Sequence, residues 1–132
     1  QESMLDRKSG YAVGIYSLDI EDFIHNYVRP QENANRTDVR WARFCDERGK
    51  GFEIQSIDAN LFNFSVWPYS MEDLESADHI HQLPRREVNK LNIDFGQKGV
   101  GDLTSQLIGM PDEAQLLPGQ SYDIKVRFKL CK

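Results

Sequence analysis

Hydrophobic and polar residues alternate with a period of two in several short segments of the chain. In "YDIKVRFKL", apolar residues at every second position from Tyr122 to Leu130 are separated by charged residues. "VNKLNIDF" repeats the pattern with Leu91, Ile93 and Phe95. Successive side chains of a strand point to opposite faces, so this alternation predicts half-buried strands of an antiparallel sheet, with one face packed and the other in water.

Two other segments also predict strands. "TDVRWARFCDERGKGFEI" has the pattern of a hairpin, with strands at 39–45 and 52–54 and a turn at Gly49 and Gly51. "LFNFSVWPY" predicts a further strand. Because proline has no N–H to donate, Pro68 limits this strand to an edge position or ends its ladder.

Helical signals are short. Ser70 is a good N-cap for "MEDLESADHI", with Glu72 and Asp73 in the first turn, where the helix dipole favours acidic residues. "LDIEDFIHN" predicts about two turns. Neither segment is long enough to be the crossover helix of a parallel sheet. The sequence therefore predicts an all-β fold, an antiparallel β-sandwich or barrel with one or two short helices, as a single domain over residues 1–132.

Composition and charge exclude some partners. Of the 132 residues, 39% are hydrophobic and 28% are charged, which is typical of a globular protein. The net charge is -5 and the basic residues are spread along the chain, so we expect no nucleic-acid partner. No apolar run approaches the ~20 residues of a membrane-spanning helix, so we expect no membrane partner.

The glycine-rich segment "GQKGVGDLTS" raises the question of a phosphate-binding loop. Such a loop needs a helix directly after its glycines, so that backbone N–H groups face the anion. The following "DLTSQLIGMPDEAQLLPG" has glycine and proline breaks and no sustained helical period. The glycines Gly99 and Gly101 are therefore predicted to permit positive φ in a sharply bent connection.

Metal and thiol chemistry has few candidates. His79 and His81 lie two residues apart but have no third ligand at a recognisable spacing, so we predict structural or surface roles and no metal site. Cys45 and Cys131 are far apart in the sequence. The sequence leaves open whether they are free thiols or a disulfide, and with that the redox compartment.

The stretch "PQENANRTDVRW" is unusually rich in side chains that form hydrogen bonds. Its pattern fits sugar recognition, a buried polar seam against another domain, or a solvated loop. Trp41 and Trp67 fit either core positions or platforms on which a sugar ring stacks.

Three segments carry a family resemblance. They are "NYVRPQENANRTDVRW", "FNFSVWPYSMEDLESADHIHQLPRREVNKLNIDFGQKGVG" and "LLPGQSYDIKVRFKL". In this order, from about Asp6 to Leu130, they resemble the closing segment of the five-domain bacterial β-galactosidases of glycoside hydrolase family 2, the small-chain or fifth-domain part.

The resemblance implies an architecture and a role. The fold would be the later part of a galactose-mutarotase-like supersandwich, excised from the C-terminal end of a multidomain enzyme. Both catalytic glutamates and the magnesium ligands would lie in a central barrel outside this chain, which would hold no catalytic residue, metal or cofactor and would be inactive alone. Its partners would be the barrel, the other domains and, through the parent enzyme, a galactoside.

The glycine-rich loop gains a function from the same resemblance. Family members typically continue Gly-Val-Gly-Gly-Asp-x-Ser-Trp, and the loop carries that tryptophan to the sugar site. Here one glycine is missing and Ser105 stands where the tryptophan would be. Asp102, Thr104 and Ser105 are therefore the substrate-binding residues that the resemblance implies, without the aromatic platform.

Two alternatives stay open. A free-standing carbohydrate-binding or mutarotase-like module would draw on Glu32, His79 and His81, although their spacing matches no motif. Open strand edges would favour self-association of the isolated chain. The sequence does not distinguish a cytoplasmic from a periplasmic location.

Overall fold

The structure, a computed structural model, describes residues 13–24, 35–58, 60–95 and 117–131. Within these residues, six strands form two three-stranded sheets, with the orders β1-β4-β5 and β2-β3-β6. The strands are β1 (Arg36–Val39), β2 (Trp41–Cys45), β3 (Gly51–Ser56), β4 (Phe62–Trp67), β5 (Lys90–Asp94) and β6 (Val126–Cys131). In the described part of the chain, helical structure is limited to α1 (Met71–Ser76) and two 3-10 turns, Ile20–Phe23 and Ile80–Gln82. The predicted all-β class with short helices is confirmed.

The chain divides into two compact units. The first comprises residues 1–38 and 63–93, and the second comprises residues 39–62 and 94–132. No helix in the part of the chain that the structure describes is long and apolar enough to span a bilayer.

The core of the first unit is built around β4. This strand lies between β1 and β5, and five of its six residues are buried. Phe23, from the first 3-10 turn, packs its ring 5.9 Å from the ring of Phe64. The guanidinium of Arg36 lies 4.7 Å from the centroid of the Phe23 ring, a cation–π contact.

Pro68 follows the last residue of β4 and does not confine this strand to the edge of the sheet. Of the two alternatives predicted for this strand, the edge position does not apply, because β4 is central in its sheet. The other expectation holds, since β4 stops at Trp67, directly before Pro68. A central strand needs donors on both sides, which excludes proline from the ladder but not from the next position.

The predicted cap of α1 is confirmed. Ser70 Oγ accepts a hydrogen bond from the Asp73 N–H at 3.1 Å, and the Asp73 carboxylate accepts one from the Ser70 N–H at 2.8 Å. Arg86 donates two hydrogen bonds to the same carboxylate, from Nε at 3.0 Å and from a terminal nitrogen at 2.6 Å. This reciprocal capping box, completed by an ion pair, holds the short helix to the segment before β5.

Replacing Asp73 is expected to change how stability depends on pH. Hydrogen bonds from Arg86, followed by the bond from the Ser70 backbone, hold the pKa of the Asp73 carboxyl well below its usual range. A depressed native pKa gives stability that is fully present above the unfolded value of about 4 and is lost as the pH falls below it. We expect Asp73→Asn to be less stable than wild type at neutral pH and to lose less stability between about pH 4 and 2.

Urea unfolding across this pH range measures the effect. Glu72→Gln is the matched control, because it removes an exposed carboxylate from the same turn. It should retain the wild-type slope. Equal acid slopes for Asp73→Asn and wild type would contradict the assigned role of the Asp73–Arg86 pair.

The second unit contains the predicted hairpin, with one shift. A bend at Arg40 separates β1, which ends at Val39, from β2, which begins at Trp41. Val39 consequently belongs to β1 instead of the hairpin, contrary to the prediction. The turn is confirmed at Gly49, which has a φ of 77°, whereas Gly51 is the first residue of β3. Antiparallel pairing of β2 with β3 and of β3 with β6 completes the sheet.

Candidate docking face

Register places the apolar residues of β2, β3 and β6 on one face of the second sheet. Ala42, Ile54 and Phe128 occupy one row across the three strands, and Phe44, Phe52 and Leu130 occupy the next. The rings of Phe44 and Phe52 lie 5.4 Å apart, and those of Phe52 and Phe128 lie 6.3 Å apart. Cross-strand aromatic neighbours of this kind stabilise a sheet and create a continuous apolar surface.

Burial of this surface falls from β2 and β3 toward β6. Ile54, on the central strand, is 0% exposed, and Ala42 is also buried. On the edge strand β6, Phe128 is 61% exposed and Leu130 is 81% exposed. Strand β6 was predicted with one packed face, and that prediction is wrong for Phe128 and Leu130. We call Phe52, Phe128 and Leu130 the docking face.

Exposed apolar residues continue before β6. Tyr122 and Ile124 were predicted to belong to the same strand, but β6 begins only at Val126. Both side chains are exposed. Tyr122 instead closes a local turn, since its hydroxyl accepts a hydrogen bond from the Leu117 N–H at 3.1 Å and donates one to Gln120 at 2.8 Å.

The opposite face of the same sheet contains a satisfied polar pair. Arg43 donates to the buried carboxylate of Glu53 from Nε at 2.9 Å and from a terminal nitrogen at 2.6 Å. Gln55 donates to the other oxygen of that carboxylate. These hydrogen bonds, from Arg43 first, lower the pKa of Glu53. Ionic hydrogen bonds thus complete the polar face, while the apolar face is left open at β6.

Large exposed apolar side chains on a strand edge are typical of interaction sites. The docking face has no ionisable side chain, so acid–base chemistry has no group there. The docking face can bury apolar area against a second surface. A strand of a partner can also pair with the backbone of β6 and extend the sheet.

The loop residues predicted to bind substrate, Asp102, Thr104 and Ser105, lie outside the described residues, as do Gly96, Gly99 and Gly101. Glu32, from the alternative carbohydrate-binding hypothesis, also lies outside them.

The histidine pair is described and forms a stack. The rings of His79 and His81 lie 5.5 Å apart with an interplanar angle of 12°. Backbone N–H groups of Asp78 and His79 both donate to Gln82, which fixes the 3-10 turn at Ile80–Gln82. Among the described residues, no group of three or more His, Cys, Asp or Glu side chains is arranged to hold a metal ion.

The two tryptophans differ. Trp67 is buried at the end of β4, which fits the core position, and its indole N–H has no hydrogen-bond partner. Trp41 is exposed at the start of β2. In the polar stretch, Asn35 is buried and its amide oxygen and nitrogen have no partner. The described part of this stretch therefore includes a buried polar group as well as exposed residues.

Comparison with known proteins identifies the family. The family model described as "Beta galactosidase small chain" matches residues 1–129. The chain belongs to the β-galactosidase small-chain family. It is similar to a β-galactosidase of Halalkalibacterium halodurans, with 32% identity over 93% of this chain, and to β-galactosidase BgaC of Bifidobacterium adolescentis, with 33% identity over 98%. A β-galactosidase of Priestia megaterium is 35% identical over 76% of the chain.

The chain is much shorter than the relatives that it matches. The chain covers 12% of the Halalkalibacterium and Bifidobacterium relatives and 10% of the Priestia relative. The matched region is therefore a small part of much larger polypeptides.

The alternation of apolar and charged residues predicts the apolar side of the docking face, and the sequence analysis expects that side to be packed in a core. A period of two shows that one face is apolar and gives no information about what covers that face. The additional signal in the sequence is the small-chain resemblance, which implies other domains that would cover such a face.

Proposed function

We propose that this chain is a non-catalytic C-terminal part of a β-galactosidase of glycoside hydrolase family 2, and that the docking face binds the rest of the enzyme. The observation that supports this most is the exposed pair Phe128 and Leu130 on an edge strand. Each fully buried side chain of this kind contributes about 1.5–3 kcal/mol. The match to about a tenth of each larger relative supplies the candidate partner.

In this proposal the parent enzyme hydrolyses terminal β-D-galactosides with carboxylates of its barrel domain, where magnesium also binds. The chain contributes packing, as part of a galactose-mutarotase-like supersandwich. Asp102, Thr104 and Ser105 extend toward the sugar site. Since serine offers no aromatic face, Ser105 supplies no stacking to the bound ring.

A complementation experiment tests the proposal. The parent polypeptide without this segment is purified, and the 132-residue chain is added in trans. We expect the shortened enzyme to hydrolyse a nitrophenyl β-galactoside at least about tenfold more slowly than the intact enzyme, with recovery as the chain is titrated, because the added surface restores a packed domain. The chain alone should show no turnover.

Two results would contradict the proposal. One is full activity of the shortened enzyme without the chain. The other is saturable binding of galactose to the chain alone, followed by calorimetry at millimolar sugar, which would favour the carbohydrate-binding module instead.

A further inference from the structure

Both cysteines of the chain lie in one row of the second sheet. Cys45 on β2 is opposite Gly51 on β3, and Gly51 is opposite Cys131 on β6. Residues in one row share a face, and a glycine places no side chain between its two neighbours. Cys45 and Cys131 are far apart in the sequence. The sheet places them on either side of Gly51, which has no side chain.

The intervening position requires glycine. A β-carbon built on Gly51 would lie 1.9 Å from the backbone oxygen of Phe44 and 2.8 Å from the α-carbon of Cys45. Since the obstacle is backbone, no side-chain rotation relieves it. The gap between the cysteines is thus a fixed feature of the strand pairing.

The two thiols are near each other but are not bonded. Both cysteines are free in the structure. Cys45 is exposed and Cys131 is half-buried, and both side chains lie on the same face of the sheet, on either side of Gly51.

Strand spacing disfavours a disulfide here. Neighbouring strands lie about 4.8 Å apart, so α-carbons two strands apart are separated by about 9–10 Å. A disulfide requires an α-carbon separation below about 7 Å. A metal ion that bridges the two sulfurs allows a longer separation between them, because two metal–sulfur bonds of about 2.3 Å replace one S–S bond of about 2.05 Å.

We propose that Cys45 and Cys131 form a two-thiolate site that binds one cuprous ion across Gly51. Thiolates select soft ions, and Cu(I) accepts two-coordinate geometry, which suits a site whose described neighbours include no third-ligand cluster. Asp46 does not complete such a cluster, because its carboxylate accepts hydrogen bonds from the Arg48 and Lys50 N–H groups of the turn, both at 2.9 Å.

The binding reaction conserves charge and oxidation state. Binding forms two Cu–S bonds and releases two thiol protons to solvent, with no change in the oxidation state of copper. The resulting bis-thiolate complex carries one negative charge. Arg43 lies one row away on the same face of the sheet, where its guanidinium is paired with Glu53. This copper site does not depend on the proposed docking role.

An anaerobic titration of the 132-residue chain with Cu(I), in competition with the chromophoric chelator bicinchoninate, tests the site. We expect one copper per chain and two sulfur ligands by X-ray absorption spectroscopy. Cys45→Ser and Cys131→Ser should each weaken binding at least about tenfold, and the double variant should bind no tighter than either. Ser76→Ala, which leaves both thiols intact, is the control and should bind as wild type does. Circular dichroism checks that each variant remains folded.

Three outcomes would overturn the proposal: no copper uptake, two coppers bound independently by the two cysteines, or air oxidation to an intramolecular disulfide detected as a mass loss of about 2 Da. The last would show that the α-carbons approach more closely than the sheet register permits.

Discussion

Leu130→Asp is expected to weaken complementation of the shortened β-galactosidase by about 30-fold or more. Leu130 is 81% exposed in the chain and, in the proposed complex, is buried against the rest of the enzyme. Losing about 2 kcal/mol of apolar burial corresponds to a factor of about 30 in affinity, and an unpaired carboxylate at the contact adds to the loss. The concentration of chain that gives half-maximal recovery of galactoside hydrolysis measures the effect, and Phe128→Asp should behave alike.

Lys125→Gln is the matched control, because it changes the net charge by the same amount at an exposed residue just before β6. It should complement as wild type does. The unfolding free energy of the isolated chain should change by no more than about 0.5 kcal/mol in Leu130→Asp, since the leucine is exposed there. Undiminished complementation by a folded Leu130→Asp chain would exclude the docking face as the contact.

Ile54→Ala is expected to destabilise the isolated chain by about 2–5 kcal/mol. Ile54 is on the central strand of the same sheet and is 0% exposed, so the substitution removes buried methyl groups and leaves a cavity. Urea unfolding measures the loss. Ile54→Val should cost only about 0.5–1.5 kcal/mol, because it deletes one methylene group.

The comparison with Leu130→Ala makes this test specific. Leu130 lies on the same face but is exposed, and its truncation should be nearly neutral in the isolated chain. Comparable losses for Ile54→Ala and Leu130→Ala would mean that the face is covered along its whole width in the free chain, and would contradict the distinction between core and docking face.

Local signals predicted most strands and the main cap correctly. The strand in "VNKLNIDF", the turn glycine Gly49 and the Ser70 cap all appear in the structure, because each depends on residues close in the sequence. The predicted alternation of burial in that strand does not appear, since residues 91–94 are all half-buried and β5 ends before Phe95. The start of β6 and the separation of Val39 from the hairpin were missed. Both depend on which strand neighbours which, and pairing across the chain leaves no mark on local periodicity. The predicted loop residues Asp102, Thr104 and Ser105 stay a prediction.

The sequence by itself determined the all-β class and the alternation of apolar and charged side chains along β6. Through its resemblance, it also determined the β-galactosidase small-chain family. Tertiary structure alone decided that β4 is central, that Phe128 and Leu130 are exposed, and that Cys45 and Cys131 flank Gly51. The physical reason is that a side chain's face follows from its own strand, whereas its burial and its neighbours depend on strands that are distant in the sequence.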